Sequence, residues 1–161
     1  MKQRKYTWFL AQAAVIAAVY VVLTVVFAPF SFSEVQVRIS EALTILPVFT
    51  AAAVPGLTVG CLLGNIVGGA PLPDVVFGTL ATLIGAVGTR ILRSWKPVAA
   101  ILPPIVANML IIPFVLRYAY DLELPIPLMM ASVGLGEVIS CGVLGLLLHK
   151  ALYPRRKELF R

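Results

Sequence analysis

The chain has 161 residues, of which 60% are hydrophobic and only 12% are charged, with a mean hydropathy of +0.99. Soluble domains carry about a quarter charged residues, so the composition excludes an ordinary soluble protein and indicates an integral membrane protein. The net charge of +6 comes from basic residues at the ends of apolar segments, which argues against a nucleic-acid partner.

The first apolar segment, residues 7–28, follows a basic stretch that is similar to the start of a signal peptide. It is long enough to cross a bilayer, which takes roughly 20 residues, and the sequence that follows it is a poor cleavage site. We therefore predict a first transmembrane helix. Two pairs of alanines in it would let another helix approach closely, either within the bundle or on a partner: Ala13 with Ala17, and Ala14 with Ala18.

The longest polar interruption of the chain is residues 32–47. Polar and apolar residues alternate from Glu34 to Ser40, which predicts an extended segment with two different faces. Ser40 is a typical helix N-cap and Glu41 suits a first helical turn, so an extended loop is predicted to lead into a hydrophobic helix. Arg38 is predicted to pair with Glu34 or Glu41 at the membrane surface.

Six apolar segments are present in all, and the dipeptide at 55–56, Pro-Gly, predicts a tight turn between the second and the third. Glycines recur at every fourth residue of the third segment, from Gly56 to Gly68, which predicts a face that packs tightly inside the bundle. Eleven of the 13 Lys and Arg residues fall on the side of both termini, which the positive-inside rule makes cytoplasmic. The sequence thus predicts an all-α membrane protein, one domain over 1–161 with both termini cytoplasmic. The predicted spans are about 7–28, 40–54, 56–69, 74–92, 97–118 and 127–153.

Polar residues at membrane depth are costly and are the first candidates for function. Glu137 lies in the first half of the last span, beside Gly134 and Gly136. Asn108 lies near the middle of the fifth span and Asn65 near the outer end of the third. A paired structural carboxylate, an interhelical hydrogen bond and a helix-end residue are the respective structural alternatives.

Two further acids have an equally simple structural explanation. Asp74 follows two prolines at the start of the fourth segment, where a helix N-cap is as good an interpretation as a ligand contact. Glu41 would be favoured by the helix dipole alone. Several aromatic residues fall near the outer half of the spans and mostly suit an interfacial belt, although one or two of them are candidates for stacking on a planar ring.

Enzymatic and metal chemistry find no support in the sequence. It has no G-x-x-x-x-G-K-[ST] loop for nucleotide phosphates, no H-E-x-x-H motif and no Ser/His/Asp or Cys/His set. Its one histidine, His149, lies at the end of the last span, and Cys61 and Cys141 stand within apolar runs as structural thiols do. We predict neither an enzyme nor a metal or cofactor site.

Three motifs together resemble the QueT family of proposed queuosine-precursor transporters. They are Phe30-Ser31-Phe32-Ser33 followed by residues 36–44 (QVRISEALT), then Gly64-Asn65 with Gly68-Gly69, then residues 74–83 (DVVFGTLATL). The resemblance covers essentially the whole chain. It implies a substrate-binding S component of an energy-coupling-factor (ECF) importer in the cell membrane. It also implies docking on a module of one transmembrane subunit and two ATPases, through the alanines of the first helix.

The resemblance further implies a 7-deazaguanine as the solute, whose chemistry suits these residues. Its N1–H and 2-amino group would donate together to one carboxylate, for which Glu137 is the first candidate. A side-chain amide would donate to the exocyclic oxygen, an aromatic ring would stack on the base, and an aminomethyl substituent would need a second acid. The candidate binding residues are Glu137, Asn108, Asn65, Glu41, Arg38, Asp74, Phe32, Phe77 and Tyr118.

Other functions stay open at the level of sequence. The chain would also suit an S component for a different vitamin or heterocycle, or a membrane subunit that assembles with a complex without transporting anything. A metal-importing S component would need several His or Cys ligands near the outer face, which the sequence lacks. An intramembrane enzyme would need a nucleophile or a metal set.

Overall fold

The computed structural model describes residues 2–27 and 37–160, and within these ranges the regular structure is helical throughout. The all-α prediction is therefore confirmed for this part of the chain. The main elements are α1 (Lys2–Val26), a 3₁₀ helix (Ile39–Val48), α2 (Ala53–Val67), α3 (Leu72–Ile91), α4 (Leu102–Ala119), α5 (Ile126–Glu137), a π-helical segment (Val138–Leu144) and α6 (Gly145–Leu152). Short helical turns occupy Leu92–Ser94, Pro97–Ala100, Tyr153–Arg155 and Arg156–Leu159.

Four helical stretches are long and apolar enough to cross a membrane. They are Gln3–Val26, Leu72–Ser94, Pro97–Ala119 and Ile126–Leu159. The 3₁₀ helix and α2 are shorter, with 10 and 15 residues. All six predicted apolar segments are thus helical and the chain has the make-up of a membrane protein, whereas the count of six spans and the side of the termini stay predictions.

The 3₁₀ helix lies at the centre of the bundle. It packs against α1, α2, α3, the π-helical segment and α6, and every residue from 40 to 47 is buried. Ten residues are long for a 3₁₀ helix, because its hydrogen bonds have poorer geometry than those of an α-helix. Its period of three places Glu41 and Thr44 on one face, and Thr44 Oγ1 donates to the Glu41 carbonyl over 2.6 Å.

The prediction that Ser40 caps this helix is wrong. The helix begins at Ile39, and Arg38 precedes it with extended backbone angles (φ −88°, ψ 99°). Ser40 Oγ instead lies 2.9 Å from Thr24 Oγ1 on α1, so its side chain serves contact between helices and not a helix end. The extended conformation predicted for residues 34–40 is confirmed at Arg38 and is wrong at Ile39 and Ser40, which are helical, while residues 34–36 lie outside the described ranges.

The tight turn predicted at 55–56 is also wrong. The chain turns over residues 49–52, and α2 already begins at Ala53. Pro55 therefore falls in the first turn of α2, where a missing N–H leaves no helical hydrogen bond unmade.

Helices α1 and α2 approach each other closely along the glycines of α2. A Cβ atom added to Gly56 would lie 2.7 Å from the Ala13 carbonyl oxygen, and one added to Gly60 would lie 2.8 Å from Tyr20 Cβ and 3.1 Å from Ala17 Cα. No side chain fits at such distances. The predicted internal packing of this glycine face is confirmed.

The two alanine pairs of α1 consequently differ in role. Ala13 and Ala17 lie against the α2 glycines, within the bundle. Ala14 and Ala18 are exposed, on a stripe that is rotated by about 100° around the helix. Ala17 is buried in this contact and Ala13 is half-buried, so docking of a partner through the four alanines stays a prediction in which Ala14 and Ala18 are the exposed members.

The fifth apolar segment, predicted as a span at residues 97–118, forms one helical stretch, Pro97–Ala119, whose hydrogen bonding is interrupted at Ile101. A turn at Pro97–Ala100 is followed by α4 from Leu102, with Ile101 between them. Pro104 has no N–H to offer the Ala100 carbonyl, and Thr89 Oγ1 on α3 donates to that carbonyl over 2.7 Å instead. The break is thus stabilised by the neighbouring helix.

The two ends of the chain meet at one end of the bundle. Gln12 Nε2 in the first half of α1 donates to the Leu159 carbonyl over 3.1 Å. Arg90, near the end of α3, donates to the Pro47 carbonyl over 2.9 Å. The basic end of α3, the end of the 3₁₀ helix and the C-terminal turns therefore share a region with the N-terminal half of α1.

Candidate ligand-binding site

Two buried glutamates face each other inside the bundle. Glu41 of the 3₁₀ helix is 0% exposed and Glu137 at the end of α5 is 3% exposed. One carboxylate oxygen of each lies within 4.8 Å of the other and of Cys141 Sγ. The Cys141 thiol donates to Glu137 Oε2 over 3.0 Å. We call Glu41 and Glu137 the acid pair.

Among the described residues, only one oxygen of the Glu41 carboxylate is held by hydrogen bonds. Tyr20 Oη on α1 donates to Glu41 Oε1, and Thr82 Oγ1 on α3 lies 3.4 Å from the same oxygen. Glu41 Oε2 makes no hydrogen bond to any part of the chain that the structure describes. One oxygen of a rigidly oriented acid is therefore left to accept from something else.

Two more buried polar atoms are in the same situation. Asn108 on α4 lies next to Glu137 and is 2% exposed, and Ser140 lies in the π-helical segment. Ser140 Oγ has no hydrogen-bond partner among residues 2–27 and 37–160, and Asn108 Nδ2 faces the Glu137 carboxylate without a hydrogen bond of normal geometry there. Each such atom costs about 1–3 kcal/mol, so folded proteins retain few of them without a reason. We call Glu41, Glu137, Asn108 and Ser140 the polar cluster.

The polar cluster lies where two irregular helices meet. The π-helical segment supplies Ser140 and directly follows Glu137, and such wide turns are frequent at functional sites. The 3₁₀ helix supplies Glu41 from the other side. Gly145 lies beside the 3₁₀ helix at this junction, where a Cβ atom would lie at an ordinary contact distance of 3.6 Å from the Ala42 carbonyl oxygen.

A second buried group surrounds Asp74 at the start of α3. Arg38 donates to both of its carboxylate oxygens, over 3.1 and 3.3 Å, and Tyr120 Oη donates to Oδ2 over 2.8 Å. Asn65 Nδ2 donates to the Asp74 carbonyl over 3.3 Å. We call Arg38, Asp74, Tyr120 and Asn65 the Asp74 node. It connects the start of the 3₁₀ helix, the end of α2, the start of α3 and the end of α4.

This node corrects two predictions. Asp74 does not cap its helix, since α3 begins at Leu72 and the Asp74 carboxylate binds Arg38. The partner of Arg38 in this salt bridge is Asp74 and not Glu41, and the pair is buried where a surface pair was predicted. Glu34, the other predicted partner, lies outside the described residues.

Space for the Asp74 node comes from Gly78, one turn along α3. A Cβ atom at Gly78 would lie 2.8 Å from Asp74 Oδ1 and 3.1 Å from Asn65 Nδ2. Burial, the negative charge of Asp74 and the hydrogen bond to it together raise the pKa of Tyr120. Tyr120 therefore keeps its proton and its hydrogen bond to Asp74 throughout the neutral pH range.

The structure brings some candidate residues together and leaves others apart. Glu41, Glu137 and Asn108 share the polar cluster, whereas Asn65, Asp74 and Arg38 belong to the Asp74 node. The remaining three are aromatic. Phe77 and Tyr118 have exposed side chains, 48% and 75% exposed, and are not brought to either group, while Phe32 lies outside the described residues.

Sequence reasoning missed several residues of these two groups. Tyr20, Thr82, Ser140, Cys141 and Tyr120 all contribute, although none was a candidate. A signal was present for two of them. Tyr20 is a polar residue at membrane depth in the first span, and Cys141 follows Glu137 by four residues, which places both on one side of a helix.

Three potential metal ligands meet at the same position. The acid pair and Cys141 offer two hard oxygen ligands and one soft sulfur, a mixed set of three. The two carboxylates already accept hydrogen bonds, Glu41 from Tyr20 and Glu137 from the Cys141 thiol. A metal ion would have to displace the thiol hydrogen, whereas an organic ligand with N–H groups needs only the free acceptor of Glu41.

An open groove of about 1020 Å³ lies elsewhere, beside the first half of α1. It carries Arg4 and Lys5 and no acidic side chain. It lies at the end where the termini meet and shares no residue with the polar cluster. Its lining consists of Arg4, Lys5, Thr7, Trp8, Phe9, Ala11, Gln12, Thr50 and Ala51.

Comparisons with known proteins agree with the resemblance seen in the motifs. The profile of the QueT transporter family matches residues 10–154. A protein of Lactococcus lactis subsp. cremoris (strain MG1363), named queuosine precursor transporter QueT, is 33% identical over 86 residues, which are 52% of this chain and 50% of that protein. The match thus spans about half the length of this relative, and no solved structure matches the chain. Because the family profile covers nearly the whole chain, the chain belongs to the QueT transporter family, a family of transporters and not of enzymes.

Proposed function

We propose that this protein is the substrate-binding S component of an ECF-type importer for a queuosine precursor. It would lie in the cell membrane as one six-helix domain with both termini cytoplasmic, and partner ATPases would supply the energy. Family membership supports the transporter class, and the name of the Lactococcus relative supports the substrate class. The chain itself has no phosphate-binding loop, which fits ATP hydrolysis in another subunit.

One observation carries the proposal: the polar cluster contains buried donors and acceptors that have no partner of normal hydrogen-bond geometry in the part of the chain that the structure describes. An acceptor at Glu41 and donors at Asn108 and Ser140 all lie below 3% exposure. Leaving them unsatisfied is costly, so a ligand that pairs with them gains the full benefit of each hydrogen bond. Specific pockets characteristically hold a few such convergent polar groups among apolar ones.

A 7-deazaguanine fits this inventory of hydrogen-bonding groups. Its N1–H and 2-amino group would donate side by side to the Glu137 carboxylate, a charge-assisted and bidentate arrangement. Its exocyclic oxygen would accept from Asn108 Nδ2. Glu41 would accept from a substituent at position 7. Phe32 stays the proposed stacking partner, since the segment that contains it leads directly into the 3₁₀ helix.

Docking on the energy-coupling module is proposed through the exposed alanine stripe of α1. Ala14 and Ala18 are exposed, and their small side chains would let a helix of the transmembrane subunit come close. Surrounding residues of the same stripe are apolar and exposed, among them Val15 and Val22. In the free subunit this surface would be covered by lipid.

The proposed function is tested by ligand titration of the purified chain in lipid nanodiscs. We expect saturable binding of 7-cyano- or 7-aminomethyl-7-deazaguanine, and none of riboflavin, which lacks the guanine edge.

Tagged protein taken from its native membrane should also retain a transmembrane subunit and two ATPases. An Ala14→Leu/Ala18→Leu variant should bind ligand unchanged but lose these partners. Well-folded protein that binds neither deazaguanine would overturn the substrate assignment, and an absence of ATPases would overturn the ECF assignment.

A further inference from the structure

The acid pair poses a charge problem that the described protein groups do not solve. Both carboxyl groups are buried, and oxygens of the two lie within 4.8 Å of each other. Two negative charges at this separation repel strongly in a medium of low dielectric constant, and one of them is normally neutralised. A proton or a bound cation does this in proteins.

The groups that face the acid pair supply little positive charge. Tyr20 on α1, Cys61 on α2 and Cys141 in the π-helical segment are weak acids, and Thr82 on α3 is uncharged. Arg38 is the one cation facing the pair within the described ranges, and it binds Asp74 over 3.1 Å. If both members of the acid pair were ionised, two negative charges would be left without compensation.

We propose that the acid pair holds one proton in the ligand-free protein, and that the solute is a cation which takes the place of this proton. The inference rests on the proposed function and specifies the solute further: a deazaguanine with a protonated amine, such as the 7-aminomethyl form. The ammonium group donates to Glu41 Oε2, the oxygen that accepts no hydrogen bond from residues 2–27 or 37–160. The displaced proton passes to solvent, so the buried charge is equal before and after binding.

A neutral solute behaves differently at the same site. The 7-cyano form can donate its N1–H and 2-amino group to Glu137, but it brings no charge to replace the proton. Its binding therefore leaves the proton on the acid pair, and its affinity does not change with pH. The affinity of the cationic form rises about tenfold per pH unit while one proton is released, as linkage requires. Glu41 thus determines whether the site prefers a cationic or a neutral solute.

Calorimetry in buffers with different heats of ionisation counts the protons released on binding. We expect about one proton for the 7-aminomethyl form and about none for the 7-cyano form in wild-type protein. The Glu41→Gln variant should release none and should lose the preference for the cationic form, while Glu123→Gln, an exposed acid, should behave as wild type. Repeating the titration with added Zn²⁺, and again with a chelator, distinguishes a proton displaced by the solute from a proton displaced by a metal ion at Cys141.

Infrared spectroscopy provides a readout that does not depend on a folded Glu41 variant. The ligand-free wild-type protein should show the carbonyl stretch of a buried carboxylic acid, and the 7-aminomethyl form should remove it. Binding of both ligands with equal affinity and no proton release would overturn this proposal while the proposed function stands. Binding of neither ligand would overturn both.

Discussion

Replacing Glu137 with Gln is expected to weaken binding of a 7-deazaguanine about 10²-fold in a calorimetric titration. The carboxylate accepts two charge-assisted hydrogen bonds in the proposed complex, whereas the amide accepts at one atom and sets an N–H against a ligand donor. A loss of about 3 kcal/mol, the order of one such contact with a charged group, corresponds to roughly this factor.

The variant should fold as well as the wild type, because it removes a charge from the acid pair without changing its shape. Glu123→Gln supplies the matched control, since Glu123 is an exposed acid on the loop before α5. An unchanged affinity in the Glu137 variant would remove this residue from the site. Loss of binding in both variants would indicate a general effect of charge.

Replacing Asp74 with Ala is expected to lower the free energy of unfolding by about 3–5 kcal/mol, because it leaves a buried Arg38 guanidinium without its carboxylate. The hydrogen bond from Tyr120 is lost as well. Denaturant titration in mixed micelles measures this change, with the exposed Glu123 changed to Ala as the control.

A double-variant cycle separates the pair from its parts. Arg38→Met combined with Asp74→Ala should be less destabilised than the sum of the single variants, since no unpaired charge then remains. Strict additivity would show that the Arg38–Asp74 contact does not contribute to stability as the structure indicates.

Much of the architecture could be predicted from local sequence. Hydropathy located six apolar segments, all of which are helical, and the glycines at every fourth position of α2 indicated the face that packs against α1. Such features depend on composition and period within one segment. The 3₁₀ form of residues 39–48 could not be predicted, because apolar residues that fit an α-helix fit this helix equally well and burial among five other elements decides between them.

Three of the four residues of the polar cluster could be predicted one by one, but Ser140 and the arrangement of the four could not. Glu41, Glu137 and Asn108 stood out because polar groups at membrane depth are rare. Their convergence, and the salt bridge between Arg38 and Asp74, join positions far apart in the chain, and no local pattern specifies such pairs. The same limit applies to the alanines of α1, whose spacing marks two stripes but does not say which stripe meets α2.

The most direct test of the polar cluster is an experimental structure of the protein with a bound 7-deazaguanine. The account predicts the guanine edge within hydrogen-bonding distance of the Glu137 carboxylate, with Asn108 Nδ2 at the exocyclic oxygen and the substituent at position 7 toward Glu41 Oε2. A ligand found in the groove beside Trp8 and Gln12, with Glu41 and Asn108 still unpartnered, would contradict it.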